Sequence, residues 1–171
     1  QFGHWLVHVE TTDALGAQWS RTGNLNQIEI NAIQPSFLVH RNRVLQMVGR
    51  TKEKRVFSIF SHDNGRIWDQ MSLLDVPNPD SGTDAVTLHD GRHLLVCNPV
   101  EQGRSPLVVM LSVDGLKWRQ VLVLEDQPRL EFSYPAAIQD KHGNVHITYT
   151  WQRRNVKHVV VDPSRLPILV E

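Results

Sequence analysis

The sequence predicts an all-β protein made of repeated four-stranded sheets, and two observations lead to this prediction. First, the pattern S-x-D-x-G-x-x-W at Ser61–Trp68 recurs one residue shorter at Ser112–Trp118 and one residue longer, in a looser form, at Thr11–Trp19. The aspartates of the three copies lie 50 and 51 residues apart. Second, the runs between the copies are short, rich in β-branched residues and free of a long helical period. A period of roughly 40–50 residues with four strands per unit is typical of a β-propeller blade.

Seven short runs between turn signals account for most of the expected strands. Turns are predicted at Asp90-Gly91, His142–Asn144 and Pro77–Gly82, because Gly, Pro, Asn and Asp favour turn conformations. The runs are Val44–Val48, Val56–Phe60, His93–Cys97, Leu107–Leu111, Val121–Leu124, Val145–Tyr149 and Val156–Val161.

The repeated motif has a structural explanation. Its aspartate is suited to accept hydrogen bonds from nearby backbone N–H groups in the turn between the third and fourth strands of a blade. Its glycine supplies a positive φ. Its tryptophan is expected to cover the turn and pack between blades. We therefore interpret the three motifs as elements of the fold and not as sites of chemistry.

The motif positions divide the chain into about three and a half blades. Residues 1–27 are expected to supply part of a blade, residues 28–77 and 78–127 one whole blade each, and residues 128–162 three further strands. Residues 163–171, which contain Pro163 and Pro167, are expected to form a C-terminal strap. A ring of propeller blades usually has four to eight members, so we expect the remaining blades, or a second chain, to cover the open edges.

Composition excludes several classes of function. Lys plus Arg and Asp plus Glu both number 18, so the net charge is zero, whereas nucleic-acid binders carry a basic excess. No apolar stretch is long enough to span a membrane, and Cys97 is the single cysteine, which excludes an internal disulfide. We expect a soluble protein without cofactor or metal, because the nine histidines show no compact ligand set. The sequence begins at Gln1, so the compartment stays open, with secreted or periplasmic as alternatives.

The motif, together with the segments between its copies, resembles the sialidase (neuraminidase) family, in which it is called the Asp box or BNR repeat. Similar segments of bacterial sialidase-like proteins include Gln34–Ser36 with Arg50-Thr51, Asn78–Ala85 with Asn98-Pro99 and Gly103-Arg104, and Glu131–Pro135 with Ile147–Trp151. The resemblance covers residues 1 to about 165 and corresponds to the C-terminal half of a six-bladed domain.

The resemblance implies a set of site residues. Arg50 and Arg104 match two of the three arginines that bind the substrate carboxylate in the family, and guanidinium groups suit that task because they donate two parallel hydrogen bonds. Tyr134 matches the tyrosine nucleophile. Gln34 stands where the family has the glutamate base, and Glu131 is a candidate substitute. The first arginine and the aspartate acid/base belong to the other half of the family domain.

Propeller geometry gives a second, independent argument for a site. The start of the first strand and the end of the second strand of a blade meet near one face, and polar or aromatic residues occupy those positions in three blades. In this way Asp84 and Asn98 become candidates for hydrogen bonds to sugar hydroxyls, and Trp151 becomes a candidate for stacking on a sugar ring.

Together these features predict a segment of a sialidase-like glycoside hydrolase that acts on a terminal acidic sugar. By the resemblance, hydrolysis retains configuration through a tyrosyl intermediate, and this segment alone is expected to be inactive. Two alternatives stay open: a non-catalytic propeller that binds a carbohydrate or a protein, which Gln34 favours, and a hydrolase or lyase on another acidic glycan.

Overall fold

The computed structural model describes residues 3–167 and confirms the all-β prediction. Within these residues the strands form four antiparallel sheets. The first sheet contains β1 (Glu10–Thr12) and β2 (Trp19–Arg21). The second contains β3 (Ala32–Val39), β4 (Leu45–Thr51), β5 (Arg55–Ser61) and β6 (Ser72–Pro77). The third contains β7 (Asp84–Thr87), β8 (His93–Cys97), β9 (Leu107–Ser112) and β10 (Arg119–Glu125). The fourth contains β11 (Phe132–Gln139), β12 (Val145–Trp151) and β13 (Asn155–Val161).

The sheets follow one another as blades. In each of the last three sheets the strands are ordered as they occur in the chain, which is an up-and-down arrangement. The first strands β3, β7 and β11 contact one another in sequence, and the later strands lie further from these contacts. The described chain is therefore a series of blades with their first strands on the inside.

Apolar side chains fill the spaces between neighbouring sheets. One cluster of buried residues lies between the third and fourth sheets and contains Phe132, Tyr149 and Leu107. A second cluster, with Leu38 and Leu95, joins the second and third sheets. Burial of each large side chain contributes about 1.5–3 kcal/mol, so these clusters fix how each sheet sits against the next.

The Asp-box turns have the geometry that the sequence predicts. The Asp63 carboxylate accepts hydrogen bonds from the backbone N–H of Arg66 at 3.0 Å and of Ile67 at 2.8 Å. The indole of Trp68 donates to the carbonyl of Gly65 at 3.0 Å. The other two boxes make equivalent bonds. Asp114 and Asp13 accept from backbone N–H groups of their own turns, and the indoles of Trp118 and Trp19 donate to the carbonyls of the box glycines. The hydrogen bonds of each motif therefore stay within its own seven to nine residues.

The packing predicted for the box tryptophans holds in two of the three copies. Trp68 and Trp118 are half-buried against the apolar clusters. Trp19 is 65% exposed, so the prediction is wrong for this residue. Its sheet has two short, fully exposed strands, and it offers no apolar face against which the ring could pack within residues 3–167.

A buried chain of hydrogen bonds joins the second and third sheets. Gln46 donates from Nε2 to the carbonyl of Gly115 at 2.8 Å, so its Oε1 accepts from His40 Nε2, also at 2.8 Å. His40 Nδ1 is then the acceptor for His93 Nε2 at 3.2 Å, and His93 Nδ1 accepts from the Thr87 hydroxyl at 3.0 Å. Burial and the neighbouring His40 lower the pKa of His93 to about 4, so the His93 ring is neutral in this arrangement.

The C-terminal strap is described only in part. Pro163–Arg165 form a short 3-10 helix, in which the Asp162 carboxylate accepts from the backbone N–H of Ser164 at 3.0 Å. Residues 168–171 of the predicted strap lie outside the described residues. Within residues 3–167, no helix has the length and apolar character needed to cross a membrane.

Candidate functional site

Two matching bulges present Gln34 and Tyr134 at the inner strands. In β3 the pair Gln34-Pro35 lies opposite Gly49, and in β11 the pair Tyr134-Pro135 interrupts the register at the same relative position. Both residues before proline have a positive φ, +54° for Gln34 and +52° for Tyr134. Such a conformation costs about 1–3 kcal/mol in a residue other than glycine and is concentrated at functional sites. Both side chains are exposed as a result.

Arg104 lies over the ring of Tyr134. The guanidinium carbon is 5.1 Å from the ring centroid, which is within the range of a cation–π contact. The contact with Arg104 and its positive charge lower the pKa of the Tyr134 phenol, and the charge of Arg50 acts in the same direction. The structure therefore places a cation beside a half-exposed phenol and favours its ionised form.

Glu131 holds two arginines beside Tyr134. Its Oε1 accepts from Arg104 Nη1 at 3.1 Å and from the Ser133 hydroxyl at 2.9 Å, and its Oε2 pairs with Arg153 Nε at 2.8 Å. Burial raises the pKa of Glu131, but the bonds from Arg153 and Ser133 and the charge of Arg104 outweigh burial and lower the pKa. A carboxylate that is held ionised in this way is a weak base. The structure therefore supports a positioning role for Glu131 and does not support the role of substitute base.

Arg50 is tied to the loop before β7. Its Nη1 donates to the carbonyl of Asp80 at 2.7 Å, and its guanidinium lies 5.0 Å from the centroid of the Trp5 ring. Its Nε is buried and has no hydrogen-bond partner in the described part of the chain. A buried donor without a partner costs about 1–3 kcal/mol.

Asp84 links the inner strands of three sheets. Its Oδ1 accepts from the Ser36 hydroxyl at 2.6 Å and from the Ala85 N–H at 2.9 Å, and its Oδ2 accepts from the Ala137 N–H at 2.7 Å. Ser36 follows the bulge of β3 directly, and Ala137 lies two residues after the bulge of β11. Asp84 is therefore a positioning residue for both bulges, and its hydrogen bonding to a sugar hydroxyl stays a prediction.

Asn98 is also a structural residue, because it is fully buried. Its amide nitrogen donates to the carbonyls of Pro106 at 2.8 Å and Phe132 at 3.1 Å, and its oxygen accepts from the Ser81 hydroxyl at 2.8 Å. No solvent-accessible surface is left for a sugar hydroxyl. The sugar-binding prediction for Asn98 is therefore wrong.

Trp151 lies at the end of β12 and is half-buried. Its ring packs against the apolar cluster of the last two sheets, with the Phe132 ring 6.5 Å away between centroids. The stacking of this ring on a sugar stays a prediction.

Sequence reasoning missed Arg153 and Gly82. Arg153 lies in the turn between β12 and β13, where sequence alone indicates only a solvated loop. Gly82 packs against Tyr134, since a Cβ at this position would be 3.2 Å from Tyr134 Cδ1. The repeated X-Pro pair at residues 34–35 and 134–135 was the available signal for two equivalent bulges.

The fold is that of a partial β-propeller of the sialidase type. The sequence matches the model of the BNR repeat-like domain family over residues 1–147. The chain belongs to this family. No curated protein matches it.

Solved structures of sialidases share the fold. A NanB sialidase from Streptococcus pneumoniae aligns over 97% of this chain and 29% of its own, with a TM-score of 0.76 and 15% identity. An intramolecular trans-sialidase from Ruminococcus gnavus, in complex with oseltamivir carboxylate, aligns over 95% of this chain and 39% of its own, with a TM-score of 0.74 and 16% identity. A Dyadobacter fermentans protein of unknown function aligns over 90% of this chain and 43% of its own, with a TM-score of 0.68 and 17% identity. The chain thus spans less than half the length of these structures.

Proposed function

We propose that the complete protein that contains this chain is a glycoside hydrolase that acts on a terminal acidic sugar through Tyr134. The observation that carries the proposal is the position of Arg104 over the exposed Tyr134 ring, 5.1 Å from its centroid. This pairing combines a carboxylate-binding group with a nucleophile in one place. The fold shared with sialidases, one of them in complex with a carboxylate-bearing ligand, supports the same substrate class.

The chemistry follows from the charges. A substrate with a carboxylate on its anomeric carbon would be held by Arg50 and Arg104, since guanidinium groups pair with carboxylates in two parallel hydrogen bonds. A neutral phenol approaches such an anionic centre without the repulsion that a carboxylate nucleophile would meet. The Tyr134 oxygen would then bond to the anomeric carbon while the bond to the leaving oxygen breaks. Attack of water on this tyrosyl intermediate would release the sugar with retained configuration.

Ionisation of Tyr134 needs a substitute for the missing base. Gln34 cannot accept the proton, and Glu131 is held ionised by two arginines. We propose that Tyr134 is neutral while the substrate binds, and that its pKa, lowered chiefly by Arg104, lets the phenol pass its proton to water as its oxygen attacks. Activity should therefore rise with pH towards the pKa of Tyr134.

The rest of the propeller is a proposed partner of this chain. The outer strand β13 leaves Val156 74% exposed and Val160 53% exposed, and its free edge has no fourth strand among residues 3–167. We propose that other blades of the same protein, or a second chain, cover this edge and supply the remaining arginine and the acid/base. Catalysis is then a property of the assembled ring.

The test is turnover of a fluorogenic sialoside by the complete protein. Tyr134→Phe keeps the ring and should abolish turnover, whereas Gln34→Glu adds a base and should raise turnover at neutral pH and move the pH optimum down. Gln34→Met is the matched control and should do neither. Turnover that persists in Tyr134→Phe would refute the mechanism, and no turnover of any acidic glycoside would refute the enzyme.

A second function, binding of an acidic glycan without hydrolysis, is favoured by one observation. Neither Gln34 nor Glu131 offers a carboxylate that is free to take the Tyr134 proton. A binding protein would hold the acidic sugar in titration calorimetry with no turnover. Its affinity would fall in Arg104→Gln.

A further inference from the structure

Arg153 occupies a strained turn beside the proposed site. The hairpin between β12 and β13 has Gln152 and Arg153 at its centre, with φ of +53° and +54°, and Arg154 N–H donates to the Trp151 carbonyl at 3.0 Å. Tight hairpin turns of this kind strongly favour Asn-Gly at the two central positions, because both need a positive φ. Two long side chains are found here instead. The strained backbone fixes the position of Arg153, and packing of its side chain does not offset the strain energy, because the side chain is 72% exposed.

Glu131 connects Arg153 to the centre of the site. Its two oxygens divide the arginines: Oε1 accepts from Arg104 and Oε2 pairs with Arg153 Nε at 2.8 Å. A backbone bond from the Gln152 N–H to the Glu131 carbonyl, at 2.7 Å, ties the turn to the same segment. Arg153 contacts Glu131 through Nε, and most of the Arg153 side chain stays exposed to solvent. The two guanidinium groups of Arg104 and Arg153 share the one carboxylate of Glu131, so these three groups together carry a net positive charge.

The exposure of the two arginines separates their tasks. The Arg104 side chain is 22% exposed and lies over Tyr134, whereas Arg153 is 72% exposed at the rim. In a glycan held by its terminal sugar, the part nearest solvent is the next residue of the chain. A guanidinium at the rim is the group that would meet an anionic substituent there.

We propose that Arg153 is a specificity-determining residue that binds a second anionic group, a carboxylate or a sulfate, on the sugar or leaving group next to the terminal acidic sugar. This inference rests on the proposed function, because it assumes that Arg50 and Arg104 hold the terminal carboxylate. It narrows the substrate class to glycans with negative charges on neighbouring units. Glu131 then acts as a positioning residue for both arginines.

The experiment compares two substrates and three variants of the complete protein. The substrates are an aryl sialoside with a neutral aryl leaving group and the same sialoside with a sulfonate on the aryl ring. Arg153→Gln should lower kcat/KM for the sulfonated substrate roughly 5- to 10-fold, mainly through KM, and change the neutral one less than about twofold. Arg154→Gln, which removes the same charge one residue away, should leave both substrates unchanged. Arg153→Lys should restore part of the preference, and added salt should weaken it.

The outcomes separate this inference from the proposed function. Equal losses on both substrates in Arg153→Gln would overturn the role in specificity, as would an equal effect of Arg154→Gln. If Arg153→Gln fails to fold, the test is the salt dependence of the preference for the sulfonated substrate, measured in the wild-type protein and in Arg153→Lys. A preference that added salt does not change would overturn the proposal. Turnover of neither substrate by the wild-type protein would instead refute the proposed function itself.

Discussion

Gly115 allows a stringent test of the hydrogen-bond chain between the second and third sheets. Gly65 and Gly115 occupy equivalent places in two Asp boxes, with φ of +86° and +70°. Alanine at either position should lower stability by a similar amount, about 1–2 kcal/mol, because the backbone there is in the left-handed conformation. The two sites differ in their surroundings. A Cβ at Gly65 would have its nearest neighbour at 3.5 Å, whereas a Cβ at Gly115 would lie 1.9 Å from Gln46 Oε1.

The extra cost of Gly115→Ala comes from the displacement of Gln46. The Gln46 amide is the flexible end of a side chain and would move, but it is fully buried and bonded to His40, Ser58 and the Gly115 carbonyl. Three lost hydrogen bonds at about 1 kcal/mol each add about 3 kcal/mol. We therefore expect Gly115→Ala to lower the free energy of unfolding by about 4–5 kcal/mol and Gly65→Ala by about 1–2 kcal/mol.

Urea denaturation of the complete protein, followed by tryptophan fluorescence, measures this difference. A Gln46→Ala background provides the control, because without the amide the two glycine substitutions should cost nearly the same. Equal destabilisation by Gly115→Ala and Gly65→Ala in the wild-type background would refute the reasoning. The reasoning would also be refuted if Gly115→Ala were still more destabilising than Gly65→Ala in the Gln46→Ala background.

Two further predictions concern pH and the link between the inner strands. The pKa of His93 is about 4 in the fold against 6.5 when unfolded, so its contribution to stability is complete above pH 6.5 and is lost as the pH falls towards 4. The free energy of unfolding in urea should therefore fall by about 2 kcal/mol between pH 6.5 and 5. This loss should disappear in His93→Gln but not in the exposed control His89→Gln. Asp84→Ala removes an acceptor of three hydrogen bonds and should lower the free energy of unfolding in urea by about 3 kcal/mol. The exposed control Asp75→Ala should change this free energy by less than about 0.5 kcal/mol. Equal effects of the two substitutions would contradict the role of Asp84 as a link between the inner strands.

The all-β fold and the box turns were predictable because their determinants are local. Asp63 and Asp114 bond to backbone groups within four residues, and each box tryptophan bonds to the glycine three residues before it. Such contacts need no other part of the chain, so a short pattern is enough to indicate them. The exposure of Trp19 was not predictable, since packing depends on which sheet stands next to the motif.

The candidate site divides in the same way. The family resemblance indicated Arg50, Arg104 and Tyr134, and the structure brings Arg104 and Tyr134 into contact. The resemblance could not separate ligand-facing polar residues from those used inside the fold, such as Asp84 and Asn98. The partners of Asp84 lie 48 and 53 residues away, and Phe132, which receives a bond from Asn98, lies 34 residues away.

The sequence by itself determined an all-β fold with a repeated unit, the turn that closes each unit, and a family. The tertiary structure alone decided which carboxylates support the fold, that Glu131 is shared by two arginines, and that the turn with Arg153 stands beside Tyr134. The physical reason is the range of the interactions. Turn chemistry acts within a few residues, whereas the meeting of a hairpin tip with the start of another strand is set by the register of whole strands and the packing between sheets.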